Sequence, residues 1–389
     1  MKLKTLLTLI ALMAICSVCY AQTYTRLYSF AGHSDGQQPR TGVVVRGNVL
    51  YGTTAVPCGT VYQLINTGSN WLFSTVAPLP NDCGPRARVV FGPDGRLYGT
   101  SEYGGQSSGG TVFRLAPPVG ICRTAACYWT VNDLHQFNPD TGGYDPGSGD
   151  LIWDPQGNIY GTTEYDVSGA GTVWKLTPSG NGYTESILYT FSSNDGLDGA
   201  LPVGGLVLDS KGNLFGTTVQ GGSNNLGVIF ELTNVPGVGW TEQVLYNFQG
   251  TSDGAYPFVG LTLDSGGNLY GTTAGPSNGG GTVYELSPSG NGWVFSALYS
   301  LPYPDHPYGG VVFGPDGALY STFLTSGFQG GSVFKLTKTQ NGWQYSSLHD
   351  FGVNENPECT VAFDAQGNLY GTTTGGGTFG DGSVWMIKP

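Results

Sequence analysis

LTLDSGGNLYGTT, residues Leu261–Thr273, is a phrase that this chain of 389 residues keeps repeating. It reads LVLDSKGNLFGTT at Leu206–Thr218, LIWDPQGNIYGTT at Leu151–Thr163 and VAFDAQGNLYGTT at Val361–Thr373. Weaker copies are VVFGPDGRLYGTS at Val89–Ser101 and VVFGPDGALYSTF at Val311–Phe323, and a truncated one, GNVLYGTT, lies at Gly47–Thr54. Asp-x-x-Gly-Asn inside the phrase is hairpin chemistry: the carboxylate can bond the turn backbone, and Gly takes the positive φ the turn demands. The phrase is therefore two short strands and the turn between them.

A third strand follows each copy after a Gly-rich loop. It is GTVYQL at Gly59–Leu64, GTVFRL at Gly110–Leu115, GTVWKL at Gly171–Leu176 and GVIFEL at Gly227–Leu232. The series continues as GTVYEL at Gly281–Leu286, GSVFKL at Gly331–Leu336 and GSVWMI at Gly382–Ile387. A fourth element opens on an aromatic residue and closes on Leu-x-x-Phe or a relative of it, as in YTESILYTF at Tyr183–Phe191 and WTEQVLYNF at Trp240–Phe248. All are β-branched or aromatic runs bounded by Gly, Asn, Asp or Pro. The Tyr or Phe of the phrase recurs every 47 to 62 residues, and no helical period competes. Four antiparallel strands repeated seven times predict an all-β fold, a seven-bladed β-propeller. TYTRLYSF at Thr23–Phe30 is a fourth strand without a first three, and the last copy has three strands without a fourth. The N-terminal strand is expected to complete the last blade and close the ring, which removes two exposed edges.

The repeated DxxGNLYGTT…GGGTVFKL phrase, with S-D-G-x-x-P between blades, resembles the bacterial Gloeo/Verruco (GloVer) tandem-repeat family over essentially the whole mature chain. The resemblance implies an exported repeat protein, often joined to C-terminal anchoring or sorting segments, with no established activity. The core phrase also looks distantly like NHL-type and lyase-type propeller repeats, an analogy of fold that does not carry function.

Composition narrows the partners. Charged residues are 11% of the chain and the formal net charge is −12, so no basic stripe is present for phosphate and nucleic acid is not an expected partner. Residues 1–21 read as an export signal: Lys2 and Lys4, an apolar run Leu6–Val18, and a small-residue site ending at Ala21. The run is short for a membrane span. The mature part, residues 22–389, is expected to be one propeller domain, secreted or periplasmic, monomeric, with no membrane span. Five cysteines remain in it, and in an exported chain they read as disulfide material. Cys122 and Cys127 bracket one short hairpin loop and are expected to pair. Cys58, Cys83 and Cys359 fall in neighbouring blades on the opposite face, where Cys58–Cys83 is the preferred bridge with Cys359 free. No Cys-x-x-Cys supports a zinc or redox site.

In a propeller the loops between second and third strands share one face with the inter-blade connections, around the channel mouth. Acidic residues crowd these connections, among them Asp35, Asp82, Asp140, Asp145, Asp195, Asp198, Asp253, Asp305, Glu355 and Glu358. Two readings are open. The carboxylates converge as a crown for Ca²⁺ or a cationic ligand, or each Asp caps its own turn. Aromatic loop residues on the same face, including Tyr103, Tyr165 and Tyr256, can form a saccharide platform with the adjacent polar groups. His33 and His306 stand beside Asp35 and Asp305 in the same region. Four Gly-x-Ser-x-Gly matches have no helix to build a nucleophile elbow and are attributed to composition. The expected ligand-binding set is therefore Asp35, Asp140, Asp195, Asp253, Asp305, His306, Tyr103, Tyr165 and Tyr256, with no catalytic residue assigned and no cofactor beyond an optional Ca²⁺. The expected function is a binding module for an extracellular polysaccharide or another surface component. The alternatives are a carbohydrate-active lyase or hydrolase using the carboxylates with His306 or His33, and a structural extracellular repeat protein. Copies that depart from the repeat discriminate between them, and the exceptions are Asp305-His306 and the long Asn138–Asp150 connection.

Overall fold

The computed structural model describes residues 22–56, 58–118, 127–180, 182–192, 196–275, 279–290, 292–325 and 329–388. Seven antiparallel sheets follow one another along the chain, the first six with their strands in sequence order, and together they form a seven-bladed β-propeller. In blade 4 the strands are Val207–Leu208, Leu214–Thr218, Val228–Val235 and Gly239–Asn247. Blades 1, 2 and 5 follow the same plan. In blade 7, Thr23–Ser29 pairs with Ser383–Lys388, from Thr23 opposite Lys388 to Ser29 opposite Ser383. The first strand of the described chain thus closes the ring, as its sequence predicts. Blades 3 and 6 each carry a short fifth strand, Tyr144–Pro146 and Asp305–His306, laid against a lengthened second strand, Ile159–Tyr165 and Leu319–Thr325. These are the two places where the sequence departs from its own repeat.

The recurring letters of the phrase have local physical reasons. Asp264 accepts hydrogen bonds from the Gly266 and Asn268 amides, from Asn268 Nδ2 at 2.8 Å and from the Tyr270 hydroxyl at 3.2 Å. Asp154 and Asp364 collect the same donors in their hairpins. Burial works against the charge on these carboxylates, but the donors outweigh it and hold all three below the usual range. The Gly of Leu-Tyr-Gly-Thr lies opposite the central aromatic of the third strand, as in the pairs Gly161–Trp174 and Gly216–Phe230. The aromatic ring covers that glycine so closely that a Cβ on Gly161 would stand 2.3 Å from Trp174.

The core is not central. Seven apolar clusters lie between consecutive blades, one at each seam. The Phe that ends one outer strand packs on the third-strand aromatic of the next blade: Phe137 on Trp174, Phe191 on Phe230, Phe248 on Tyr284, Phe351 on Trp385 and Phe30 on Tyr62. Each blade therefore depends on its neighbours, as stacked repeats do. The axis of the ring is left open.

Candidate functional site

Every inter-blade connection enters the ring through a residue, a proline and a second residue. The seven are Gln38-Pro39-Arg40, Gly84-Pro85-Arg86, Asp145-Pro146-Gly147, Leu201-Pro202-Val203, Tyr256-Pro257-Phe258, His306-Pro307-Tyr308 and Asn356-Pro357-Glu358. Each proline ring seats on the glycine that opens a third strand, for example Pro146 on Gly110, where a Cβ would come within 2.4 Å of Pro146 Cδ. At four connections the residue before proline donates its amide to the preceding blade: Gln38 to Asp381 O and Tyr256 to Leu226 O at 2.9 Å, Asp145 to Gly109 O and Leu201 to Ala170 O at 2.8 Å. Gln38, Asp145, Leu201 and Tyr256 hold positive φ there, 54° to 59°. These conformations are unfavourable for residues with a Cβ and persist because packing on both sides imposes them.

The backbone at these positions is uniform, whereas the side chains are not. Five of the seven residues after proline look onto a cavity of about 290 Å³ on the ring axis, lined from all seven blades. Five of its wall residues are Arg40, Arg86, Phe258, Tyr308 and Glu358. Blades 7, 1 and 2 thus present an acid and two cations, and blades 5 and 6 present aromatic rings. Phe258 and Tyr308 lie with ring centroids 5.6 Å apart. Tyr303 and His306 extend this half in an edge contact at 6.4 Å.

The charged half is organised by arginines. Arg88 grips Asp150 of blade 3 through Nε, at 3.0 and 3.3 Å to the two carboxylate oxygens, and through Nη2. Burial raises the Glu358 carboxyl, and the Arg40 charge opposes that rise. Arg86 lies between two blades, with Nε 2.5 Å from Glu102 Oε2 and Nη1 3.3 Å from Glu164 Oε2. Asp145 stands in the same cluster. Burial first, then the Glu102 and Glu164 charges against the opposing Arg86, push its carboxyl up to about 7. Its Oδ1 is shielded from solvent and has no hydrogen-bond partner. Tyr103 is 54% exposed, and Tyr144 stacks on Tyr165 at 5.6 Å. Hydrogen bonding to Glu102 raises the Tyr103 phenol, and hydrogen bonding to Glu164 together with burial pushes Tyr165 up to about 12.

The structure distributes the expected residues unevenly. Tyr103 and Tyr165 converge on the Arg86 cluster, and the fifth strand of blade 3 delivers Asp145 to it. His306 and Tyr256 occupy two of the seven positions before proline. His306 Nδ1 bonds Ala274 O, and Asp305 accepts from Thr325 Oγ1 at 2.8 Å. Asp140 is exposed in its own turn. Asp35 and Asp253 are buried and face their own connections. Asp35 takes the Ala31 and His33 amides and the Tyr28 hydroxyl, and Asp253 takes the Gln249 and Thr251 amides and the Tyr246 hydroxyl. Asp195 lies outside the described residues. Among the described residues no group of three or more His, Cys, Asp or Glu side chains is arranged to hold a metal ion.

Arg40, Arg86, Arg88, Glu102, Glu164 and Phe258 were not singled out by the sequence reading. Two signals mark all of them but Arg88: the residue after the inter-blade proline differs in chemical type among the copies, and only blades 2 and 3 continue their phrase with Glu-Tyr, at Glu102-Tyr103 and Glu164-Tyr165.

A disulfide joins Cys58 to Cys83 on this face, and the Cys359 thiol is free and buried. Cys127 is disulfide-bonded, and Cys122 lies outside the described residues. The Cys58–Cys83 bridge holds the segment that carries Arg86, since Cys83 O and Gly84 O accept the Tyr103 and Glu102 amides. It spans 25 residues. A loop of that size predicts a loss of about 3–4 kcal/mol for the Cys58→Ala, Cys83→Ala variant in urea unfolding.

A family model described as the Gloeobacter/Verrucomicrobia repeat matches residues 58–275. Among curated proteins, no sequence matches this one. Solved structures share the fold at low identity. A fungal alcohol oxidase in complex with copper is 12% identical, with 95% of this chain and 76% of that one covered at a TM-score of 0.59. A polysaccharide lyase described as an ulvan lyase is 11% identical, with 90% and 93% covered at 0.57. A putative 6-phosphogluconolactonase from Bacteroides fragilis is 14% identical, with 85% and 87% covered at 0.54. At such identities the likeness is one of fold.

Proposed function

Since the chain belongs to the Gloeobacter/Verrucomicrobia repeat family, whose repeats here build a regular ring with one irregular mouth, we propose that it binds a saccharide in that mouth. The observation that carries the reading is the chemical asymmetry of five equivalent positions around one cavity. A repeat that only filled space would not place Arg40, Arg86 and Glu358 on one side and Phe258 and Tyr308 on the other. A pyranose has an apolar face that stacks on aromatic rings and a rim of hydroxyls that suits charged, fixed donors and acceptors. The cavity is at the small end of the about 300–1,000 Å³ typical of ligand pockets and fits one or two sugar units at a chain end. The disulfide is compatible with an oxidising, extracellular or periplasmic location, as is the lack, among the described residues, of any helix long and apolar enough to cross a membrane. An extracellular polysaccharide or surface glycan is the ligand that suits such a place.

A second reading, glycan cleavage, draws on one feature. Asp145 retains a proton near neutrality beside Glu102 and Glu164, and a carboxylic acid kept neutral next to carboxylates can protonate a leaving oxygen. A glycan array followed by calorimetry on residues 22–389 separates the readings. Binding without new reducing ends or unsaturated products supports the module; turnover abolished by Asp145→Asn supports the enzyme. On the binding reading, Tyr103→Ala and Phe258→Ala each weaken affinity about tenfold or more without lowering the unfolding midpoint, a loss within the range of aromatic contacts. Affinity untouched by both variants, or no glycan bound at all, counts against the mouth.

A further inference from the structure

Elsewhere in the mouth the charges are balanced: Arg88 pairs with Asp150, and the Arg40 charge acts on Glu358. The blade 2–3 cluster is not balanced, because three carboxylates, Glu102, Asp145 and Glu164, share the single guanidinium of Arg86. Three tyrosines border the same spot. Tyr103 is open to solvent, Tyr144 and Tyr165 are stacked, and both Tyr103 and Tyr165 feel the charges of Asp145 and Arg86.

We propose that this end of the mouth is a cation subsite, built by Glu102, Asp145 and Glu164 beneath Tyr103, Tyr144 and Tyr165, which takes the charged nitrogen of an amino-sugar unit. The proposal rests on the saccharide reading and names the class of saccharide. A quaternary or primary ammonium is held by carboxylates and by the negative faces of aromatic rings together. Glu102 and Glu164 each pair with Arg86, whereas the half-buried Asp145 forms no ion pair and its Oδ1 has no hydrogen-bond partner, so its carboxylate is the one left over for the cation. The chain's formal charge of −12 draws a polycation in and repels a polyanion.

The pH dependence has a definite sign. The groups facing Asp145 are Glu102 and Tyr103 from the second-strand end of blade 2, Glu164 and Tyr165 from that of blade 3, and Arg86 from the connection between blades 1 and 2. Without a ligand, burial first and then the Glu102 and Glu164 charges favour the protonated form of Asp145, whose carboxyl is pushed up to about 7. Its raised pKa means that folded-state stability falls as pH climbs from the ordinary carboxylate range through about 7. A bound cation opposes that loss by favouring the ionised form, so a cation that does not itself titrate binds more tightly as pH rises from 5.5 to 8.

The test uses three oligomers of equal length: N,N,N-trimethylglucosamine, N-acetylglucosamine and galacturonate. Calorimetry on residues 22–389 should find the trimethylated oligomer bound at least about tenfold tighter than the acetylated one. That preference should grow from pH 5.5 to 8, and it should vanish in Asp145→Asn. Arg86→Gln removes the resident cation and should tighten the trimethylated oligomer, whereas a site for anions would lose binding. If Arg86→Gln fails to fold, Asp145→Asn still decides. Equal affinity for the acetylated oligomer, or a preference for galacturonate, overturns the subsite and leaves the saccharide reading standing. Binding of none of the three, with no other glycan bound on the array, overturns both.

Discussion

A chain lacking Thr23–Phe30 should not fold into a cooperative unit: near-ultraviolet circular dichroism should be weak and the unfolding curve broad. That strand supplies every pairing on the open side of Ser383–Lys388. It also inserts Phe30, fully buried, against Tyr62 of blade 1 at 5.1 Å, stacks Tyr28 on Phe73 at 4.2 Å and stacks Tyr24 on His349 of blade 6 at 3.7 Å. Loss of a buried Phe alone costs about 3–5 kcal/mol, against a total stability of about 5–15 kcal/mol for a typical domain. The bare edge left behind is also a template for aggregation. A synthetic peptide of residues 23–30 should restore the native spectrum in trans. A truncated chain that unfolds as sharply as the full one would mean that the ring does not depend on its closure.

Trp174→Ala should destabilise by about 3–5 kcal/mol in urea unfolding, the range for a large aromatic removed from a core. Trp174 is fully buried, lies opposite Gly161 and receives Phe137 across the seam at a centroid distance of 5.5 Å. The same packing makes Gly161→Ala costly, about 1–3 kcal/mol, because its new Cβ meets the indole. In the Trp174→Ala background that clash has no partner, so Gly161→Ala should then be nearly neutral. The coupling between the two is the checkable quantity. Additive losses would show that the glycine is required by the backbone alone and not by the ring above it.

The fold was legible because its determinants are local and repeated. Asp, Gly and Asn close a hairpin within a few residues, and a glycine facing an aromatic is a two-strand affair. The hairpin recurs in four blades and the glycine–aromatic pair in six, which is enough to mark all seven sheets. The mouth was legible only in part. Tyr103, Tyr165, Asp145 and His306 stood out by residue type and by the two irregular connections. Asp35 and Asp253 stood out equally, yet each carboxylate turns into its own connection, since Asp-Gly favours that turn and a tyrosine of the preceding strand supplies a further donor. Whether an acidic loop residue points at the axis or at its own backbone depends on position relative to the proline, which becomes visible only once the seven copies are aligned on it. Arg40, Arg86 and Phe258 were passed over for the complementary reason: variation within a repeat reads as drift until the ring brings the varying positions together.

Hydrogen exchange of residues 22–389, free and saturated with the tightest-binding oligosaccharide, tests the central claim most directly. Exchange should slow at 82–88, 102–105, 144–150, 164–166, 256–260 and 306–310, on one face and around one cavity. Protection confined to the Asp-x-x-Gly-Asn hairpins on the opposite face, or to the outer strands, would contradict it.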